Sequence, residues 1–449
     1  MHMSADERFS GAALLKRLRR SRGWSLADTA RALIDVAAQL GQPFDITVGS
    51  VQRTVARWES STGPVQPSDR YQLLLAHLYG RDSGGRASFG PGSDFAVLLE
   101  ALAHFGVSTQ RMDELRALLV RTVTDSGVEL LALLGPSTQA SLSAALADPS
   151  RLDEELLVDM GASVAHVNGQ VGSVPFVRLQ LLLAPVVESC RRLLNMPIPD
   201  ALIPNLQLIS TQAYTLAGRI AFETRDDVTS RALYLAATDV AGNLGVPWRR
   251  AVVHMSHALV TLYSKPGLEA AKALIDAAVR DARLGESITV RARAHALQAE
   301  VAARTGAVKQ ARAALALAWY DLDQDRTDDP ALSSFSPAHL RGFEGVTSLF
   351  VGDASEAHDY FAHSAQALNA PREQVQRAIV AADQALARIR LGDPRSAAEL
   401  LHGCIDAASQ TGGRVALIRL RRARQDLRPW RREAFVADLD DHLIDSLGR

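Results

Sequence analysis

Gln52 and Arg53 stand side by side in Ser50-Val51-Gln52-Arg53-Thr54-Val55-Ala56-Arg57-Trp58-Glu59. Both side chains carry paired hydrogen-bonding groups, which is what bidentate recognition of a planar partner requires. A glutamine amide matches the open edge of adenine, and an arginine guanidinium matches that of guanine. The implied chemistry is the reading of base edges, not the breaking of bonds. Such groups need a rigid support. Val51, Val55 and Trp58 fall at i, i+4 and i+7, so the segment is expected to be a helix that buries those three. Gln52, Arg53, Ala56 and Arg57 are then left largely outward, with Thr54 as a further polar contact.

The elements around this helix follow from local signals. A first helix is expected over 12–22, ending at Gly23-Trp24. It carries the basic run Lys16, Arg17, Arg19, Arg20 and Arg22, which offers phosphate contacts that position a protein without specifying a sequence. Ser25-Leu26-Ala27-Asp28 has the form of a capping box, with Asp28 in place of the usual Glu. The second helix continues through Thr29-Ala30-Arg31-Ala32-Leu33, and a polar turn with Pro64 and Pro67 leads to a helix over Asp69–Tyr79.

With these features, residues 11–80 resemble the helix-turn-helix domain of the xenobiotic-response-element (XRE, repressor/Cro-like) transcription regulators. The resemblance implies a DNA-binding domain over 1–82, with Gln52, Arg53, Thr54 and Arg57 on the DNA and Lys16, Arg17 and Arg20 on its phosphates. One departure matters. Where the family has a turn of three or four residues, 34–49 adds a longer second helix and a loop with Gly41 and Pro43. The rival reading of this domain is a degenerate one kept for dimerisation or protein contact.

Composition narrows the class. The chain has 449 residues, 47% apolar and 22% charged, so it is long enough for two or more domains or a repeat array. Aromatics make up only 5%, and the abundance of Ala and Leu favours helices. The net charge is −1, but 1–82 carry a balance of +3. Cys190 and Cys404 form no disulfide framework, and no signal peptide or membrane span is apparent, so a cytoplasmic protein without membrane association is expected.

A Gly/Ser-rich linker is expected at 83–93, followed by a helical connecting region at 94–199 broken near Gly106, Gly135-Pro136 and Pro149. From 200 to 410 a repeat emerges. Helix pairs turn at Arg225-Asp226, Lys265-Pro266, Gly306-Ala307, Gly352-Asp353 and Gly392-Asp393, at intervals of 40, 41, 46 and 40 residues. Small residues recur seven before, five after and twelve after each corner: Gly218/Ser230/Ala237, Ala258/Ala270/Ala277, Ala299/Ala311/Ala318, Gly345/Ala357/Ser364 and Ala385/Ala397/Cys404. A large residue follows nine after: Tyr234, Leu274, Leu315, Phe361 and Leu401. Small side chains allow two antiparallel helices to approach, and the large one fills the gap to the next pair. The longest interval is assigned to a loop over 321–336. This region resembles the tetratricopeptide (TPR) repeat, with its Gly-Asp corner and a spacing longer than usual. Capping helices are expected over 411–449.

The resemblance to TPR repeats implies a concave groove lined by Gln212, Arg219, Phe222, Glu223, Met255, Leu259, Tyr263, Arg293, Glu300 and Arg304, then by Val346, Leu349, Phe350, Leu386 and Ile389. Of these, Gln212, Arg219, Glu223, Met255, Tyr263, Arg293 and Glu300 are the candidate ligand contacts. The alternative for the apolar part is packing against terminal helices or a second protomer. A second basic cluster (Arg419, Arg421, Arg422, Arg424, Arg428, Arg431, Arg432) is expected to be a solvated face or a dimer-contact helix.

No phosphate loop, dinucleotide fingerprint or nucleophile elbow is present. His254 and His257, three apart, lack further ligands and are read as ordinary helix histidines. The expectation is an all-α protein of N-terminal helix-turn-helix domain plus α-solenoid, resembling the peptide-sensing quorum regulators. It is expected to be no enzyme, with no cofactor or metal, and to have DNA, a second copy of itself, and a signalling peptide or small molecule as partners. The alternative is an adaptor whose repeats dock a partner protein, with DNA binding secondary.

Overall fold

The computed structural model describes residues 5–40, 44, 46–81, 92–108, 111–112, 115, 136–264, 267–368 and 373–447. Among these the chain is all-α, with twenty α-helices and no strand beyond one isolated bridge between Val171 and Val174. None of these helices is long and apolar enough to cross a membrane. The chain divides into two compact units, Met1–Ala147 and Asp148–Arg449. The linker expected at 83–93 lies outside the described residues apart from Gly92 and Ser93.

The first unit holds α1 (Ala5–Ser21), α2 (Leu26–Gln39), α3 (Val48–Trp58), α4 (Asp69–Tyr79), α5 (Asp94–His104) and α6 (Pro136–Ala147). Helix α1 starts at Ala5, earlier than the expected Ala12, and ends where Gly23 takes a left-handed φ of 71° that a side chain would resist. The capping box forms. The Ser25 N–H donates to Asp28 Oδ2 at 2.8 Å, and the Asp28 N–H donates to Ser25 Oγ at 3.2 Å. Those Ser25 bonds, joined by Arg31, pull the Asp28 carboxyl down to about 2. Helix α1 also packs closely on α5: a methyl on Gly11 would come within 2.9 Å of the Ala101 carbonyl oxygen and the Phe105 ring.

The second unit runs α7 (Glu154–Gly169), α8 (Phe176–Leu193), α9 (Ile203–Glu223), α10 (Asp227–Asn243), α11 (Pro247–Thr261), α12 (Gly267–Leu284), α13 (Ile288–Arg304), α14 (Val308–Leu322), α15 (Pro337–Val351), α16 (Ala354–Ala367), α17 (Gln374–Arg390), α18 (Pro394–Thr411), α19 (Arg414–Asp426) and α20 (Ala434–Leu447). Sequential helices pack in pairs, α9/α10 through α17/α18, as a helical repeat requires. Each of the five expected corners falls between the two helices of a pair, with Lys265-Pro266 itself outside the described residues. At three corners an aspartate caps the second helix, Asp226 through the Thr229 N–H, Asp353 through that of Glu356 and Asp393 through that of Ser396.

The small residues act as their spacing implied. A methyl on Gly345 would lie 2.6 Å from the Phe361 ring, and one on Gly218 would lie 3.0 Å from Tyr234. Ser364 and Cys404, at the same repeat position, each donate back 26 residues, to the carbonyls of Ala338 and Ala378. The second pair departs from the expected register by one residue. Ala271, Ile275 and Ala278 are buried there, while Ala270, Leu274 and Ala277 are only half-buried. The long interval is the loop between α14 and α15. Its Asp329 accepts from Ser287 Oγ and from the Thr289 N–H, both at 2.7 Å, and so caps α13.

Candidate functional site

Helix α3 presents two faces. Val51, Val55 and Trp58 are buried, at 0, 2 and 3% exposure, while Arg53 and Arg57 are exposed and Gln52, Thr54 and Ala56 half-buried. Thr47 caps the helix by accepting from the Ser50 N–H. Arg53 donates to Ser50 Oγ at 3.0 Å, and the Thr54 hydroxyl donates back to the Ser50 carbonyl at 3.1 Å. Thr54 therefore keeps only acceptor capacity for a partner.

The C-terminal end of α3 is fixed to α1 by a fork-to-fork ion pair. Arg19 Nε and Nη2 donate to the Glu59 carboxylate at 2.8 and 2.7 Å, and Arg19 Nη1 donates to the Trp24 carbonyl at 2.7 Å. Arg22 is likewise occupied, by Asp94 at 2.7 Å and the Leu78 carbonyl at 3.0 Å. This corrects the reading of the basic run. Arg19 and Arg22 are structural ties, leaving Arg17 and Arg20 exposed and Lys16 half-buried on α1. Of the inserted loop, Gly41 and Pro43 lie outside the described residues. Phe44 packs between the Arg70 guanidinium, 4.2 Å from its ring, and the ring of Tyr71 at 5.6 Å. Tyr71 in turn meets Trp58 edge-on at 4.8 Å, so Phe44 is held on α4 against the back of α3.

In the second unit, the candidate ligand contacts separate into three groups. Met255 is fully buried among Trp248, Ala258 and Ile275, a core residue and not a ligand contact. Glu223, Tyr263 and Glu300 are engaged by the chain's own arginines and α19. Glu223 Oε2 accepts from the N–H groups of Arg414 (2.6 Å) and Val415 (3.2 Å), while Arg414 pairs with Asp227 and lies over the Phe222 ring at 4.4 Å. Arg419 pairs with Asp383, bonds the Tyr263 hydroxyl and stands 3.7 Å from Glu300, which also holds Arg304 at 2.6 Å. Burial pushes the Glu300 carboxyl up, but Arg304 and Arg419 outweigh it and leave it below its ordinary value. Burial dominates at Glu223, whose carboxyl is raised.

The basic segment expected to be a solvated face or a dimer-contact helix thus contributes Arg419 as a buried ion-pair partner, because α19 packs on α17, α18 and α9 and aims Arg419 at Asp383, Tyr263 and Glu300. The sequence carries part of the signal. Ala416, Leu420, Ala423 and Leu427 at helical spacing mark an apolar face on α19. The apolar end of the lining follows its alternative reading: Val346, Leu349 and Leu386 form one core with Leu420, Leu427 and Leu439 of the terminal segment. Gln212, Arg219 and Arg293 remain outside these networks, Gln212 exposed and the two arginines half-buried.

A separate cleft of about 400 Å³ lies between α10, α11 and α12, lined by Asp227, Ser230, Arg231, His257 and Leu274 among others, and includes none of the candidate ligand contacts. His257 stacks flat on Tyr234 with ring centroids 4.7 Å apart, while His254 lies 3.5 Å from Asp281. Among the described residues no cluster of three or more potential metal ligands occurs.

Compared with known families, curated proteins and solved structures, the chain matches none.

Proposed function

We propose that this protein is a sequence-specific DNA-binding transcription regulator, dimeric on its operator, with a TPR-like array that senses a peptide or small signal. The observation that carries the reading is the division of α3. Its apolar face is buried, its Glu59 end is locked to Arg19, and Gln52, Arg53 and Arg57 lie on the outer side. A short helix held rigidly with Gln and Arg outward is what base readout in the major groove uses. Arg17 and Arg20 on α1 supply phosphate contacts. In this reading α2 and α3 are the helix-turn-helix, and the Phe44 loop replaces the short turn.

Dimerisation follows from the small base-contact set of one such helix, because two copies on a two-fold site multiply specificity. Nuclease footprinting on the DNA upstream of the protein's own gene tests the proposal. Two protected half-sites a whole number of helical turns apart are expected. Uniform protection of all DNA, without a preferred site, would overturn it.

A second reading, a protein-docking adaptor, is favoured by apolar side chains left outward on the repeats. Val228 and Leu235 on α10 are 83 and 60% exposed, and Leu317 and Tyr320 on α14 are 41 and 63% exposed. Recovery of a stoichiometric protein partner that survives nuclease treatment, with no footprint, would replace the first reading by this one.

A further inference from the structure

Three of the expected groove contacts, Glu223, Tyr263 and Glu300, are already taken by α19, so a signal needs another way in. The cleft of about 400 Å³ between α10, α11 and α12 has the size of a small-molecule site, and Arg231 and Ala273 in its lining are exposed. Its walls are mostly apolar, with Leu235, Val260 and Leu274 among them, and Leu235 is left 60% exposed.

The polar side chains of the cleft differ in what they have left to offer. The hydroxyls of Ser230, Thr261 and Ser264 already donate to the backbone carbonyls of Gly218, His257 and Val260, at 2.7, 2.7 and 2.9 Å. They keep only acceptor capacity. Two side-chain donors remain. Arg231 has no hydrogen bond or ion pair among the described residues. The His257 ring, stacked flat on Tyr234 at 4.7 Å, has no hydrogen bond on either nitrogen among them. Burial and the neighbouring His254 lower this ring to about 4, so at neutral pH it presents one N–H and one lone pair. A guanidinium and an imidazole N–H beside an apolar wall suit a carboxylate with an apolar body behind it. A cation would find Asp227, the one carboxylate in the lining, already held by Arg414.

We propose that this cleft binds a small amphiphilic carboxylate, its acid group on Arg231 and His257 and its apolar body against Leu235, Val260 and Leu274. The proposal rests on the reading of the array as a sensor and names the chemical class of its signal. Occupancy has a route to the far end of the array. Asp227, in the lining, holds Arg414, the first residue of α19, whose N–H donates to Glu223.

Calorimetric titration of the full chain with octanoate and, separately, with cinnamate tests the site, with acetate as the probe that lacks an apolar body. Saturable binding of octanoate or cinnamate is expected, and none of acetate. Arg231→Gln should weaken it tenfold or more. His257→Phe, which keeps a ring on Tyr234, should weaken it threefold or more, and Ala273→Trp should abolish it by filling the cleft. Arg231 and Ala273 are exposed, so the urea midpoints of those two variants should match wild type and show the fold intact. Absence of saturable binding by both octanoate and cinnamate would overturn the site. So would binding equal in wild type and all three variants, or acetate binding as tightly as octanoate. Hydrogen exchange at the start of α19 and a gel shift on operator DNA separate the site from the sensor reading. Binding at the cleft that alters neither leaves the site standing and the sensor reading failed. If neither carboxylate binds while a peptide alters the gel shift, the site fails and the sensor reading stands.

Discussion

The carboxylate of Glu223, in the last turn of α9, caps the N-terminus of α19 by accepting from the N–H groups of Arg414 at 2.6 Å and Val415 at 3.2 Å, the first pair reaching across 191 residues of sequence. A helix opens with N–H groups that its own turns cannot satisfy, and Gly413, the residue before α19, offers no side chain to do so. The end of the array is thus capped from its beginning. Glu223→Ala should leave those donors without an acceptor and cost about 2 kcal/mol. Hydrogen exchange would locate the effect in α19 and α20. Glu223→Gln keeps one acceptor oxygen and should lose less. Unchanged exchange in α19 of the alanine variant would show that the cap does not hold the array together.

Gly345 and Gly403 are both helical glycines with opposite surroundings. A methyl at 345 would meet the Phe361 ring at 2.6 Å, whereas one at 403 meets nothing within 4 Å. Gly345→Ala should destabilise the repeat unit by about 1–3 kcal/mol through overpacking. Gly403→Ala should stabilise it by about 0.5–1 kcal/mol by lowering the entropy of the unfolded chain. Urea midpoints of the two variants, moving in opposite directions, check this; a shared direction would contradict the packing described.

Arg19 and Glu59 form a buried bidentate pair that fixes the end of α3. Arg19→Ala leaves a carboxylate buried without its partner, at a cost of about 3 kcal/mol. Arg19→Lys cannot reproduce the fork and should recover only part of it. A double-mutant cycle with Glu59→Gln, read by urea denaturation, should give a coupling of about 1 kcal/mol or more. Additive effects would mean that the two side chains act separately.

Acid should weaken both units. Burial lowers His77 in α4 to about 4, and burial together with His254 lowers His257 to about 4. Between pH 6.5 and 4 the unfolded chain takes up protons that these folded sites refuse, so stability falls as pH falls through that window. At pH 5 each histidine should cost about 1 kcal/mol relative to pH 7, after allowance for partial exposure. His257→Phe retains a ring to stack on Tyr234 and removes the titration. Its repeat unit should lose less stability between pH 7 and 5 than wild type, and an equal loss would assign the acid sensitivity elsewhere.

Periodicity made much of this architecture legible. Val51, Val55 and Trp58 announced their own burial, and the corner residues marked where helix pairs turn because Gly at positive φ and capping Asp are demanded locally. Long-range ties were not legible. Nothing near Arg19 names Glu59, and nothing near Arg419 names Asp383, because a charged residue reads the same whether solvated or paired. The same ambiguity placed Glu223, Tyr263 and Glu300 in an open groove, when α19 turns its arginines onto them. Met255 failed for a different reason: a helix in an array is buried on more than one side, so one small shift in facing moves a residue from groove to core.

The central claim is that the outer face of α3 reads DNA, and a gel shift on the region upstream of the protein's own gene tests it most directly. Wild type should bind with an affinity that falls steeply as salt rises, because phosphate contacts release counterions. Gln52→Ala/Arg53→Ala should lose at least tenfold for the preferred sequence while keeping its weaker binding to unrelated DNA, since only the base contacts are removed. No shift by the wild type even at low salt, or a double variant that keeps the full sequence preference, would contradict the account.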